Sequence, residues 1–159
     1  MEPRDDQPAG NARTRTTAVT STDPVAQRRW PADMLAAIDE ADDLKVSPLR
    51  ADGVTFGTPT WIWSVIVDGE LYVRGYNGTD SRWYTAALAR PDGRIHAAGH
   101  VFDVTFEPAP GDLTAAIDDA YRSKYAASPY LAPMIGARAK AATLGIRPVR
   151  PVEASVTRD

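Results

Sequence analysis

The sequence predicts an α+β fold, a small antiparallel β-barrel of five to six strands with helices packed against it. Three observations carry this. Two pairs of runs rich in β-branched and aromatic residues flank tight glycine turns, at Asp68-Gly69 and at Gly99. The remaining strand-like runs are short and separated by amphipathic helical segments. No internal repeat is visible, and 159 residues suffice for one core rather than two.

Residues 1–29 are rich in Thr, Pro, Asp, Arg and Ala and hold almost no large apolar side chain, so they are expected to form a disordered leader. Order is expected from Trp30-Pro31, giving a single domain over 30–150 and a flexible tail over 151–159. Pro31 suits the first turn of a helix. Met34, Leu35 and Ile38 share one face of that helix, which runs to about Asp42. Leu44 to Leu49 reads as an edge strand, where Pro48 is tolerated because it has no N–H to donate. Thr60 to Val67 reads as one strand, turning at Asp68-Gly69 into Leu71-Tyr72-Val73-Arg74. Gly75 to Asp80 is a polar loop. Asp80 or Ser81 can cap a helix through Arg90 that buries Trp83, Ala87 and Leu88.

Pro91-Asp92-Gly93 reads as a turn. A second hairpin joins Arg94–Ala98 to Val101–Phe106. In its second strand Phe102, Val104 and Phe106 form an apolar face, and Val101, Asp103 and Thr105 form a wet or ligand-facing one. A helix from Leu113 to about Ala126, a short helix near Ala137–Thr143 and a strand from Leu144 to Val149 complete the chain.

Composition excludes several functions. The net charge is −3 and the basic residues are scattered, so no nucleic-acid partner is expected. There is no cysteine, which removes disulfides, thiolate metal sites and cysteine nucleophiles. Two histidines, His96 and His100, are too few for a His-rich zinc site, and no metal site is expected. No stretch approaches the ~20 apolar residues of a membrane span. The N-terminus lacks the apolar core of a signal peptide, so the cytoplasm is the expected location.

Several residues can carry chemistry. Arg74 can bind phosphate or carboxylate through its planar fork; the alternative is a salt bridge to Asp80, Asp103 or Glu107. The loop Gly75–Ser81 feeds a helix N-terminus that favours an anion, although its glycine spacing is not that of a phosphate-binding loop. Trp61 and Trp63, two apart, share one strand face and can wall a flat ligand, or fill the core or an interface. Tyr121, Lys124 and Tyr125 share a helix face, where the ammonium can lower a phenol pKa; the alternative is plain packing with a snorkelling lysine. His96 and His100 flank the hairpin turn and can approach one another or Asp103.

From Trp30 to Pro148 the chain resembles the bacterial domain-of-unknown-function family number 2255. The carrying pieces are Trp61-Ile62-Trp63-Ser64-Val65, Tyr72-Val73-Arg74, Asp80-Ser81-Arg82-Trp83, Val104-Thr105-Phe106 and Ala120-Tyr121-Arg122-Ser123-Lys124-Tyr125. More distantly, Leu71-Tyr72-Val73-Arg74, the glycine-bearing loop, Trp83-Tyr84, Leu88-Ala89-Arg90-Pro91 and Ile95 are similar to the deazaflavin-dependent nitroreductase-like split barrels, which bind flavin mononucleotide, deazaflavin, haem or biliverdin, or have lost their cofactor. The chain departs from that pattern at Thr85-Ala86, where those enzymes often place His-Asn, and at Asn77-Gly78, where the loop keeps one glycine of a pair.

The resemblance implies a split-barrel homodimer. Arg74, Asn77, Ser81 and Arg82 would be its phosphate-side residues, and Trp61, Trp63 and Trp83 would wall the ring. It further implies an oxidoreductase-like enzyme that uses FMN or deazaflavin on an aromatic or quinone-like substrate. A second reading is a cofactor-free cyclase or isomerase of natural-product biosynthesis, with Tyr84, His100, Asp103, Tyr121 and Lys124 as acid/base groups around an apolar cavity. A third is a ligand-binding protein without catalysis.

Overall fold

A computed structural model describes residues 29–149; the expected leader, apart from Arg29, and the expected tail lie outside the described residues. Helix α1 (Ala32–Ala41) is followed by β1 (Lys45–Pro48), β2 (Thr60–Trp61), β3 (Ser64–Val67) and β4 (Glu70–Arg74). Then come α2 (Arg82–Ala89), β5 (Asp92–Ala97), β6 (His100–Pro108), α3 (Thr114–Lys124), the single-turn helices α4 (Leu131–Met134) and α5 (Ala137–Lys140), and β7 (Thr143–Pro148). All seven strands pair antiparallel in one sheet, in the order β2-β1-β5-β6-β7-β4-β3.

That order forces the sheet to curl. Seven strands side by side at ~4.8 Å would place β2 and β3 about 29 Å apart in a flat sheet. Only Ile62 and Trp63 join them, and three residue steps reach at most about 11 Å. The two edge strands are therefore brought together, and the sheet forms a half-barrel split along the β2/β3 seam. The fold is the expected α+β split barrel, with seven strands rather than five or six.

The extra strand comes from Thr60–Val67, whose single β-rich run is broken at Ile62-Trp63 and contributes to both sheet edges. β1 lies second in the sheet rather than at its edge. Its partner β2 covers only Lys45 and Val46, which leaves Pro48 beyond the ladder on that side. Asp92-Gly93 does not turn but opens β5, because both residues pair with β6. The β3–β4 hairpin turns at Asp68 (φ 53°) and Gly69 (φ 76°), the two positive φ values that the favoured two-residue hairpin demands.

Two cores flank the sheet. The inner one packs Met34, Leu35 and Ile38 of α1 and Trp83 and Ala87 of α2 against Val46, Leu71, Val73, Ile95, Val104, Phe106, Leu144 and Ile146. The expected apolar face of β6 is thus the inward one. Trp30 joins this core, donating its indole N–H to the Ile146 carbonyl at 2.8 Å and meeting Phe102 edge-on. Leu88, expected in the core, is exposed. The outer core packs Val65, Val67 and Tyr72 against Ile117 and Tyr121 of α3, Tyr125 just after it, and Met134. Leu71 and Val73 face inward while Tyr72 packs outward, the period-2 alternation of a strand covered on both faces.

Candidate functional site

The seam is also where the chain opens into a cleft of about 920 Å³. Its wall is the crossover segment Thr60–Trp63. Its far side is the loop from β4 into α2, from Arg74 to Trp83, and Ser128, Tyr130 and Met134 close its third side. The volume falls within the ~300–1,000 Å³ of small-molecule sites. All seven residues expected on the cofactor side, Trp61, Trp63, Arg74, Asn77, Ser81, Arg82 and Trp83, border this cleft.

The aromatic wall is held in different ways. Trp83 is buried in the inner core, whereas Trp61 is 52% exposed and is tied by its indole N–H to the Asp42 carbonyl at 3.2 Å. Trp63 stacks on Tyr125 with ring centroids 3.9 Å apart and planes 4° off parallel. Tyr76 and Tyr130 meet edge to face at the mouth, 44% and 58% exposed. Neither tyrosine stood out in the sequence. Tyr76 sits in a loop read for its backbone, and Tyr130 falls between two prolines outside any periodic segment; the isolated aromatic beside Pro129 is the only signal it leaves.

The polar end is the loop before α2. Gly78 has φ 67°, and a Cβ there would overlap Arg138 Cγ and lie 2.9 Å from the Arg138 carbonyl oxygen, so α5 packs directly on the loop backbone. Ser81 occupies the N-cap position of α2 but makes no cap bond, contrary to the expected role. Its Oγ is buried and has no hydrogen-bond partner among the described residues. Arg82 follows, exposed, in the first helical turn, and Asn77 and Asp80 stand exposed beside it. A helix N-terminus without a side-chain cap, next to a guanidinium, attracts an anion.

Arg74 does not project its charge into the cleft. Its side chain is wholly buried, and its Nη1 donates to Asp118 Oδ1 at 2.6 Å and to the Met134 carbonyl at 3.0 Å. Nε donates to Thr143 Oγ1 at 3.0 Å, and the guanidinium lies 5.3 Å from the Tyr121 ring centroid. The salt-bridge alternative is the one seen, with Asp118 as the partner instead of Asp80, Asp103 or Glu107. Lys140 Nζ reaches Asp118 Oδ2 at 3.1 Å. Arg74 therefore lies beneath the cleft floor and fixes it through the Met134 backbone.

Burial pushes the Asp118 pKa up, but hydrogen bonds from Arg74 and Lys140 and their charges outweigh that, and the net shift is downward from 3.8. A carboxyl depressed in the folded state contributes stability that is complete above its unfolded pKa and lost as pH falls through the lower folded value. Acid unfolding of the protein is thus expected to begin below about pH 4. An Asp118→Asn variant, followed by circular dichroism, is expected to lose most of that dependence.

The five expected acid/base residues do not converge. None of Tyr84, His100, Asp103, Tyr121 and Lys124 lines the cleft. Tyr84 donates to the Ala141 carbonyl at 3.3 Å, and Asp103 pairs with Arg94 at 2.9 Å. His100 lies against Phe102 at the β5–β6 turn. Lys124 binds Asp39 at 2.9 Å and the Ser64 carbonyl at 2.8 Å. Tyr121 is fully buried, and Tyr125 donates to Asp42 Oδ1 at 2.6 Å. The expected lowering of a phenol pKa on this helix is reversed: burial raises both Tyr121 and Tyr125, and the Asp42 carboxylate raises Tyr125 further. Among the described residues no cluster of metal-ligating groups occurs, and no helix is long and apolar enough to cross a membrane.

Residues 34–146 match the model of a family described as an uncharacterized protein conserved in bacteria (DUF2255), and the chain belongs to that family. No curated protein matches the sequence. Among solved structures the chain is similar to conserved hypothetical protein Rv2991 from Mycobacterium tuberculosis, at 14% identity over 78% of this chain and 82% of that one, with a TM-score of 0.52. A FAD-binding protein from Mesorhizobium loti aligns at 16% identity over 79% of this chain and 93% of that one, with a TM-score of 0.43. At 14% identity the likeness to the Mycobacterium tuberculosis protein speaks to the fold alone.

Proposed function

For this family member we propose that the seam cleft binds a flat, anionic aromatic ligand of the flavin or deazaflavin class. The observation that carries this reading is the pairing of two features in one cleft: an indole wall of Trp61, Trp63 and Trp83, and an uncapped helix N-terminus beside Arg82. A ring system needs the first, and a phosphate tail needs the second. Asn77 and Asp80 suit the hydroxyls of a linking polyol.

When bound, such a cofactor supplies hydride transfer. The chain's own residues hold the ring against the indoles, keep the anion at Arg82 and the α2 N–H groups, and exclude water along the wall. Arg74 takes no part in anion binding, because its charge is neutralised by Asp118. An aromatic or quinone-like substrate fits the open mouth at Tyr76 and Tyr130. The cyclase or isomerase reading has less support, since its acid/base residues lie away from the cleft.

Substituting Arg82→Ala tests the anion end. FMN affinity, read by fluorescence titration, is expected to fall about tenfold, the worth of one charge-assisted hydrogen bond. Riboflavin, which lacks the phosphate, is expected to bind the variant and the parent alike. An equal loss for both ligands would place the anion elsewhere.

A further inference from the structure

We propose that Asp42 and Tyr125, neither of which lines the cleft, are the positioning residues of its aromatic wall. Both wall indoles on the crossover segment are tied to them. The backbone carbonyl of Asp42 accepts from the Trp61 indole at 3.2 Å, and its carboxylate accepts from the Tyr125 hydroxyl at 2.6 Å. The ring of that same Tyr125 carries Trp63 in a near-parallel stack at 3.9 Å. One residue at the end of α1 thereby addresses Trp61 directly and Trp63 through one intermediary.

The need for a tether follows from the topology. Trp61 is about half exposed, so packing alone does not fix its rotamer; pairing with Lys45 and the Ile62 N–H bond to the Leu44 carbonyl hold the backbone of the crossover but not the indole. Ser64, the first residue of β3, is pinned on the same side. Its N–H donates to the Tyr125 oxygen at 3.3 Å, and its carbonyl accepts from Lys124 Nζ at 2.8 Å. Lys124 completes the cluster by pairing with Asp39 at 2.9 Å and with Asp42 at 3.6 Å.

Asp42 itself sits at φ 48°, a left-handed conformation that costs a β-carbon residue stability unless its side chain is used. Here the side chain is used, by Tyr125 and Lys124. The consequence for binding rests on the ligand reading of the cleft: a wall held in place before the ligand arrives spares the ordering entropy at binding.

The left-handed φ makes a clean test available. Asp42→Gly keeps the backbone carbonyl for Trp61 and suits the conformation, so the chain should fold, but it removes the carboxylate. Asp42→Asn tolerates the same φ and keeps an oxygen for the Tyr125 proton. The full chain labelled with 5-fluorotryptophan has four indoles, at positions 30, 61, 63 and 83, whose fluorine resonances are assigned by single Trp→Phe changes.

Asp42→Gly is expected to shift or broaden the Trp61 and Trp63 signals, leave those of Trp30 and Trp83 in place, and weaken FMN binding about tenfold. Asp42→Asn is expected to restore both readouts to within about twofold. Unmoved Trp61 and Trp63 signals in Asp42→Gly, or all four signals moving together, would overturn the proposal. If the parent protein binds no FMN while the two signals still move selectively, the positioning role stands and the ligand reading fails.

Discussion

Asp118→Ala is expected to destabilise the protein by about 3–5 kcal/mol, because it strands a buried guanidinium without its counter-charge. Arg74 has no exposed side-chain surface and Asp118 only 8%, so water cannot take over the lost contact. The backbone and hydroxyl acceptors of Met134 and Thr143 remain, but neither carries charge. Lys140 loses its partner in the same stroke. Urea unfolding would register the effect as a lower midpoint at unchanged slope. The double replacement Arg74→Met with Asp118→Leu is expected to recover most of the loss, since a buried pair exchanged whole for apolar groups is close to neutral. A loss below about 1 kcal/mol for Asp118→Ala would mean that the pair is solvated and that the cleft floor rests on something else.

Trp30→Ala is the second large effect, expected to cost about 3–5 kcal/mol in thermal or urea unfolding. The indole is 5% exposed, stands edge-on to Phe102 at 5.0 Å and donates to Ile146. Alanine leaves both a cavity and an unpaired carbonyl lone pair. Trp30→Phe restores most of the buried area but not the hydrogen bond, and is expected to cost about 1–2 kcal/mol. Equal costs for the two variants would show that the hydrogen bond, rather than the packing, anchors this residue.

Much of the barrel was legible because its signals are local. Asp68-Gly69 specifies its own hairpin, Met34, Leu35 and Ile38 mark a helix face, and Val104 and Phe106 alternate as a strand must. The break at Ile62-Trp63 was not legible, since a β-rich run gives no sign that its halves serve opposite edges of a curled sheet. That break is the feature that opens the cleft.

The residues that border the cleft cluster in sequence, on the crossover and on one loop, and so were legible together. Arg74 is expected either to bind an anion or to form a salt bridge; the salt bridge is the one seen, and its partner Asp118 lies 44 residues away on α3, a pairing that no local pattern encodes. The acid/base set failed to converge for the same reason. Tyr121 and Lys124 share a helix face, yet that face turns to the backbone carbonyls of Trp63 and Ser64 and to Asp39 of α1 rather than into the cleft.

The ligand proposed for the seam cleft is a flat ring with an anionic tail. The most direct test of that proposal is a titration of the purified full chain with FMN, followed by quenching of tryptophan fluorescence and by the flavin absorbance between about 300 and 500 nm, with riboflavin and a deazaflavin alongside. Saturable quenching is expected at one ligand per chain, tighter for FMN than for riboflavin, and lost in Trp63→Ala. Absence of saturable binding by FMN and deazaflavin alike, or binding that survives Trp63→Ala undiminished, would contradict the proposal.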